Sequence, residues 1–556
     1  MPQSNKVVVK VTQRSAFDKS HYFDGAVPIG KVVPLLSDEI IPNSTINLNM
    51  GISAQLPPLA TDAIAKVDFK TAAFFVPSRI LYGGYESWFL DKEEKCYAGG
   101  QASVTSKAVL PTFSISSDMG EDVAYGSVFG RGSLSDALGV KYYDGEIVST
   151  KFSLMPYLAY HKIWNDFFRA PLVQQDIEIK RDNYKSTAAG TDPDMHLLGP
   201  ARLNYLFFDD VSDANFLYDD SDVDAGWFNY ADYHSIFDLR SPNYGYDYFT
   251  NAWPTAQAGL EESIDTSNDY FSISSLRISN SFQQFRERNN FAARFFEAVT
   301  ARYGAHLSDS IAQRAVFLGS ATYNMKNYGV DISASNTMSD DAQPYNNISP
   351  FNFAAGGRAG RAIASGADNL INHFDINEPG YIFVLGWVAP RAVYGSGVSR
   401  MMRRYTDGAG TLVEMANPLL QNIGNQPIYE YELTGIASVN RIFGYTDRYA
   451  DFMTLPDKVF GELRDGGSMQ MFALQRSFDR SRAVTISSDF LQIKTDALDN
   501  ILAYTSEDNF KVCVVSAAFD YKVIQPLAEY SIPSLQDPAY EHGQNVVVHR
   551  GGLRMS

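Results

Sequence analysis

The sequence predicts a mainly β protein, a sandwich of strands with long insertions between them. Runs rich in β-branched residues occur toward both ends of the 556-residue chain, whereas the clearest helical patterns lie in its middle. The hydrophobic fraction of 45% is ample for a packed core and excludes global disorder. No repeat of about 20 to 50 residues is present, which argues against solenoids and propellers. At about 150 residues per domain, length alone would suggest three or four domains.

Five segments have the composition of strands. Residues 379–390 (PGYIFVLGWVAP) form a continuous apolar run bounded by prolines, which cannot donate to a β ladder, so a buried strand is predicted there. The other segments combine β-branched and aromatic residues with partial alternation. The predicted strands cover residues 7–12, 63–76, 379–390, 483–495 and 510–523. Strands are therefore expected mainly within residues 1–80, 375–392 and 470–525.

Two segments in the middle of the chain have helical periodicity. In residues 155–170, apolar and aromatic residues recur near spacings of three, four and seven, and Pro156 suits the first helical turn. Residues 281–303 have a similar stripe, and Gly304 follows as a stop signal. Both segments are predicted to be helices within insertions.

The segment between these helices, residues 202–250, has an unusual composition. It carries ten Asp and two basic residues together with many Phe and Tyr, and short turn-forming residues interrupt any long periodicity. This pattern predicts an extended surface insertion that Asp residues hydrate and aromatic side chains anchor. Asp219, Asp220, Asp222 and Asp224 could hold calcium, but the spacing and Gly of an EF-hand are missing, so a solvated acidic loop is favoured.

The sequence contains none of the patterns that mark common catalytic or cofactor sites. The glycine-rich phosphate-binding motifs, the nucleophile elbow and the His or Cys spacings of zinc sites are all missing. We therefore expect no enzyme activity, no cofactor and no metal. The two cysteines, Cys96 and Cys513, cannot form a disulfide framework, and no run of about 20 apolar residues predicts a membrane span.

The charge balance limits how the chain can meet nucleic acid. Its net charge of −18 argues against a protein that coats DNA or RNA with its whole surface, so any such contact must be local. Residues 391–404 are the strongest candidate, because they contain four arginines, no acidic residue and a nearby tyrosine. Arginine and tyrosine suit single-stranded nucleic acid, but salt bridges explain the segment equally well. For the basic residues of 277–314, structural salt bridges are favoured.

Several short motifs occur one after another along residues 17–480, and their order is the same as in one known protein family. The motifs include FDKSH at 17–21, FFVPSRIL at 74–81, IWNDFFR at 163–169, DYFT at 247–250 and DKVFGELR at 457–464. Each motif is weak alone, but the series as a whole resembles the major capsid proteins of the Microviridae, in particular of gokushovirus-like phages. These are small tailless phages with circular single-stranded DNA.

The resemblance implies one domain over residues 1–556 in place of several. The implied fold is an eight-stranded antiparallel β jelly roll of the viral capsid type, with long helix- and loop-containing insertions and a C-terminal extension at 526–556. Sixty copies would build a T=1 icosahedral shell around the DNA. The resemblance also implies that the protein is located in the virion, which is assembled in the cytoplasm of a bacterial host. The implied partners are other copies, the DNA, a small basic DNA-binding protein, a DNA pilot protein and a host surface receptor, with no membrane.

The resemblance also gives the candidate residues a place in a shell. Arginines of the basic segment are expected to face the interior and contact DNA: Arg391, Arg400, Arg403 and Arg404. Aromatic residues of the acidic insertion are expected at the surface or between subunits: Tyr205, Phe207, Tyr218, Trp227 and Tyr246. The alternative function is a carbohydrate-active β-sandwich, which would need two carboxylates facing each other across a sugar groove.

Overall fold

The computed structural model places the strands in a β-sandwich of two antiparallel sheets with smaller hairpins around it. It describes residues 14–60, 66–82, 85–90, 93–98, 101–107, 110, 112–114, 130–140, 151–174, 237–255, 313–331, 358–403, 425–435, 441–447, 450–455, 457–476, 478, 483–503 and 511–527. The strands within these residues are β1 Ser15–Asp18, β2 His21–Pro28, β3 Val33–Ile40, β4 Ser44–Gln55, β5 Val67–Pro77, β6 Glu93–Ala98, β7 Gln101–Lys107, β8 Thr112–Ser114, β9 Lys151–Ser153, β10 Val316–Asn324, β11 Lys326–Asp331, β12 Arg358–Ile376, β13 Gly380–Pro390, β14 Asn425–Tyr429, β15 Ile442–Asp447 and β16 Val512–Gln525.

The helices of the described residues are short. They are α1 Tyr85–Phe89, α2 Leu134–Ala137, α3 Met155–Ile163, α4 Arg400–Arg403, α5 Tyr431–Thr434, α6 Ala450–Met453 and α7 Ser488–Leu491. Three 3₁₀ turns cover Ser78–Ile80, Gly461–Leu463 and Gln470–Phe472, and one π-helical turn covers Trp164–Phe168. A mainly β chain is what the sequence predicted.

The two sheets of the sandwich have six and four strands. The first has the order β1-β16-β4-β12-β11, with β2 also paired to β16, and the second has the order β10-β5-β13-β3. Every pairing in both sheets is antiparallel. The order joins distant parts of the chain, since β2 near residue 21 pairs with β16 near residue 519.

Burial along the strands differs between the two sheets. In β16 every second residue from Cys513 to Gln525 is buried, so one face of the first sheet packs inward and the other meets solvent. In β5 the residues from Thr71 to Pro77 are all buried, as are those from Gly380 to Gly386 in β13. The two central strands of the second sheet, β5 and β13, are therefore covered on both faces.

Helix α3 and the π-helical turn after it supply part of that cover. Phe167 and Phe168 place their rings against Phe74 of β5 and Trp387 of β13, with centroid distances of 4.9 Å in each closest pair. The hydroxyl of Tyr160 in α3 donates to the carbonyl of Val32 at 2.8 Å and accepts the N–H of Arg240 at 2.8 Å. Burial raises the pKa of Tyr160 far above its ordinary value. The helix predicted at 155–170 is thus the element that ties residues 237–240 to the sandwich.

The strand predictions agree with the structure at three segments and fail at one. The predicted strands at 63–76, 379–390 and 510–523 are observed as β5, β13 and β16. The strand predicted at 483–495 is wrong. Those residues form irregular chain around α7, and the side chains of Ile486, Phe490 and Leu491 are buried there. Strands β6 to β11, β14 and β15 lie outside the ranges in which strands were mainly expected, and so does nearly all of β12. The predicted strand at 7–12 and helix at 281–303, and residues 528–556 of the extension, lie outside the described residues.

Candidate nucleic-acid contacts and assembly surfaces

The loops that follow the sandwich strands share a second hydrophobic core, separate from the main one. Residues of α7, of β15 and of the segment around Phe249 meet there, and residue 253 pairs with residue 445 through two backbone hydrogen bonds of 2.7 and 2.8 Å. This core holds the basic segment that follows β13. The residues buried in it are Phe249, Ala252, Tyr394, Ile428, Leu433, Phe443, Ile486, Phe490 and Leu491.

Arg476 organises the aromatic part of this core. Its guanidinium carbon lies 4.3 Å from the ring centroids of both Tyr244 and Phe490, and its Nη2 donates to the carbonyl of Phe490 at 2.6 Å. Tyr394, from the basic segment, donates its hydroxyl to Asp247 at 2.8 Å. Burial is the main reason that the pKa of Tyr394 is raised, and Asp247 adds to it. The sequence carried no signal for Arg476, because the partners it brings together, such as Tyr244 and Phe490, lie in separate parts of the chain.

Arg391, the first predicted DNA contact, directly follows β13 and is exposed. Its Nη2 lies 3.1 and 3.2 Å from the two carboxylate oxygens of Asp457, and about half of the Arg391 side chain remains accessible. An exposed ion pair of this kind contributes about 0 to 1 kcal/mol, so Asp457 holds the arginine weakly. The guanidinium is therefore available to a stronger anion.

Arg400, the second predicted contact, lies in a different environment. Its guanidinium is only 7% exposed, donates to the carbonyl of Pro427 at 2.6 Å and lies 3.4 Å from the carboxylate of Glu432. Burial raises the pKa of Glu432 to about 7, against the opposing effects of Arg400 and of the Tyr429 N–H, which donates at 3.0 Å. The Arg400 charge is thus already paired within the chain, where it joins α4 to the β14–α5 turn.

The positions of the other two predicted DNA-contact arginines are described less fully. Arg403 is the last residue of α4, and Arg404 lies outside the described residues. Arg391, Arg400 and Arg403 lie on one segment, which contributes Tyr394 to the second core. The structure places two of the arginines in contrasting settings, one exposed and one buried.

Among the predicted aromatic contacts, Tyr246 is 85% exposed. It lies in a turn that Asp247 stabilises by accepting the backbone N–H groups of Phe249 and Thr250 at 2.8 and 2.7 Å. Phe249 itself is buried, so this end of the acidic insertion is anchored while Tyr246 points to solvent. The remaining aromatic candidates lie outside the described residues: Tyr205, Phe207, Tyr218 and Trp227.

A second exposed apolar surface was not predicted from the sequence. It spans residues 450–473, which we call the apolar arm, and none of the residues described within it is buried. The large apolar residues of this segment follow neither a helical nor a strand period, so periodicity in the sequence could not show whether they are buried or exposed. The exposed large side chains of the arm are Phe452, Met453, Leu455, Phe460, Met469 and Met471.

The described residues contain neither a metal-ligand cluster nor a membrane-spanning helix. No group of three or more His, Cys, Asp or Glu side chains in that part of the chain is arranged to hold a metal ion. No helix within the same residues is long and apolar enough to cross a membrane.

Comparison with known proteins identifies the family. A family model described as "Capsid protein (F protein)" matches residues 5–271 and 266–535. The chain is 23% identical to the capsid protein VP1 of Chlamydia phage 1, over 96% of this chain and 97% of that protein. It is 22% identical to the capsid proteins VP1 of Spiroplasma virus 4 and of Bdellovibrio phage phiMH2K, in each case over 94% of this chain and at least 95% of the relative. The chain therefore belongs to the F protein family of phage capsid proteins, in agreement with its resemblance to the coat proteins of the Microviridae.

Proposed function

We propose that this capsid protein is the major coat protein of a T=1 icosahedral shell, in which sixty copies enclose a circular single-stranded DNA genome. Its role is structural, with no catalytic step, and its shell assembles in the cytoplasm of a bacterial host. The observation that carries the proposal is the family match, which extends from residue 5 to residue 535 in a chain of 556. The same match disfavours the carbohydrate-active alternative.

The eight-stranded jelly roll is the finer form of this proposal, and the strand pairing supports it. Eight strands in chain order are β2, β3, β4, β5, β10, β12, β13 and β16. The first pairs with the eighth, the second with the seventh, the third with the sixth and the fourth with the fifth. Such nested pairs arise when one long hairpin is rolled into two sheets, which is the jelly-roll arrangement. In this proposal β1 and β11 extend the edges of the first sheet.

The interior DNA contact is assigned to the basic segment, with its arginines in distinct roles. Arg391 supplies an accessible guanidinium for phosphate, since only a weak surface pair with Asp457 holds it. Arg400 fixes the segment through Glu432 and Pro427, which anchors the helix that ends at Arg403. Arg403 and Arg404 are proposed as further DNA contacts of the same segment. A local basic patch of this size suits DNA contact by a chain whose net charge is −18.

Partners of the shell follow from the same reasoning. A chain with a charge of −18 neutralises little DNA, which supports a small basic DNA-binding protein as a companion. A DNA pilot protein and a host surface receptor complete the proposed set. The exposed Tyr246, with Tyr205, Phe207, Tyr218 and Trp227, is proposed to lie at the outer surface or between subunits, because carboxylate-rich chain next to DNA would be repelled.

Electron microscopy of the purified chain tests the proposal. Closed particles of uniform diameter with icosahedral symmetry are expected across a series of ionic strengths and protein concentrations. A reconstruction would show whether Arg391 and Arg403 line the interior. Monodisperse monomers under every condition would contradict the proposed function, and arginines 391, 400, 403 and 404 on the outer surface would contradict the DNA contact alone.

A further inference from the structure

The apolar arm carries several of the most exposed large apolar side chains in the described part of the chain. Phe460 is 91% exposed, Leu455 89% and Met453 78%. Six of the nineteen exposed large hydrophobic side chains found among the described residues belong to these 24 positions. Single exposed apolar residues need no explanation, but a cluster of this size marks an interaction surface.

The arm nevertheless has a defined conformation. Glu462 accepts the backbone N–H and the hydroxyl of Ser468 at 3.0 and 3.1 Å, and its carbonyl accepts the N–H of Met469 at 3.0 Å. The N–H of Gly466, which has a φ of +83°, donates to the side chain of Gln470 at 3.0 Å. These bonds close the two 3₁₀ turns of the arm into a compact loop.

Polar contacts attach the arm to the body of the protein. Gln475 donates to the carbonyl of Leu463 at 2.9 Å, and Gln426 donates to Asp451 at 3.0 Å. Asp457 pairs with Arg391 near the start of the loop. The arm is thus held in place by hydrogen bonds, while none of the residues described within it is buried.

We infer that the apolar arm is a contact between copies, and that Leu455 and Phe460 insert into a neighbouring copy of this chain. Ordering a loop costs conformational entropy, which buried apolar surface normally offsets, and here that surface becomes buried only on association. The inference rests on the proposed function, because a coat protein always meets neighbouring copies of itself. Exposed Phe and Met side chains around a fixed loop are typical anchors of such an interface.

A pair of substitutions in the arm tests this directly. The double variant Leu455→Ser, Phe460→Ser is expected to raise the protein concentration needed for shell assembly by about tenfold or more, since interface anchors of this type dominate association. Circular dichroism and thermal unfolding of the unassembled chain should match the wild type, because neither side chain packs inside it. Lys458→Ser is the matched control: it removes an exposed charge from the same loop and leaves the assembly concentration unchanged.

Hydroxyl-radical labelling of the arm methionines gives an independent readout in the wild-type chain. Met453, Met469 and Met471 are expected to lose labelling on assembly, and to the same extent in empty and DNA-filled shells. Protection only in filled shells would indicate a DNA contact and overturn the inference, as would a double variant that assembles like wild type; in both cases the proposed function stands. A wild-type chain that never assembles would overturn both proposals.

Discussion

Arg391 and Arg400 belong to one basic segment, yet their surroundings give them different energetics. Arg391 is a half-exposed guanidinium beside an exposed carboxylate, where solvent screens the attraction. Arg400 and Glu432 are both less than a tenth exposed, so each is the partner that makes the burial of the other tolerable. Charge counted along the sequence treats the two as equal, whereas burial separates an accessible guanidinium from one that is fixed within the chain.

Replacing each arginine by Met should show this difference. Arg400→Met is expected to lower the free energy of unfolding by about 1 to 3 kcal/mol, because it removes the hydrogen bond to the buried carbonyl of Pro427 and leaves Glu432 to take up a proton. Arg391→Met should change the free energy by no more than about 1 kcal/mol. Denaturant unfolding of the unassembled chain measures both. Equal effects of the two substitutions would contradict the assignment of Arg400 as the anchor.

At the scale of elements, the strands that the sequence predicted are those with a uniform apolar or β-branched composition, such as β13. Strand β12 was missed because its sequence, RAGRAIASGADNLINHFDI, is rich in Gly, Ala and Asn, which have low strand propensity. Its pairing with β4 and β11 overrides that propensity. The segment at 483–495 failed for the opposite reason: its apolar residues fill the second core from irregular chain. Neither the Arg476 stacking nor the exposure of the arm has a local pattern that could reveal it.

Two glycines in the sandwich strands differ in the space around them, and this difference can be tested. Gly319 lies at a bulge of β10, where an added Cβ would overlap the carbonyl oxygen of Leu370 in β12 of the other sheet. Gly51 of β4 has no atom within 4 Å of an added Cβ. Gly319→Ala should lower the unfolding free energy by about 1 to 3 kcal/mol.

Gly51→Ala is the control and should leave stability unchanged or raise it by about 0.5 to 1 kcal/mol, because alanine restricts the unfolded chain. Thermal unfolding of the two variants measures the difference. If Gly319→Ala were as stable as Gly51→Ala, the close approach of β10 and β12 at that edge would be in error.

At the scale of the whole molecule, assembly has to overcome the electrostatic repulsion between copies of the same charge. Each copy carries a net charge of −18, so copies repel one another at long range while apolar and aromatic surfaces attract at contact. The balance between these terms depends on ionic strength, since repulsion between exposed charges is screened and apolar burial is not.

Salt is therefore expected to promote association of the purified chain. Raising the salt concentration from 0.1 M to 1 M shortens the Debye length from about 10 Å to about 3 Å, which removes most of the repulsion between approaching copies. Light scattering should show a lower protein concentration for assembly at the higher salt. Sucrose at matched osmolality is the control, and dissociation of particles by added salt would show that ion pairs dominate the contacts.

The pairing of β2 with β16 also determines when the protein can finish folding. Strand β16 lies between β2 and β4 in the first sheet, and Ser20 approaches Asp520 across 500 positions of sequence. During synthesis, β1, β2 and β4 must wait for residues 512–525 to leave the ribosome before that sheet can close. A chain interrupted anywhere before β16 lacks a central strand and stays incomplete. A central strand is thus among the last segments to be synthesised, so the first sheet can close only when nearly the whole chain has been made.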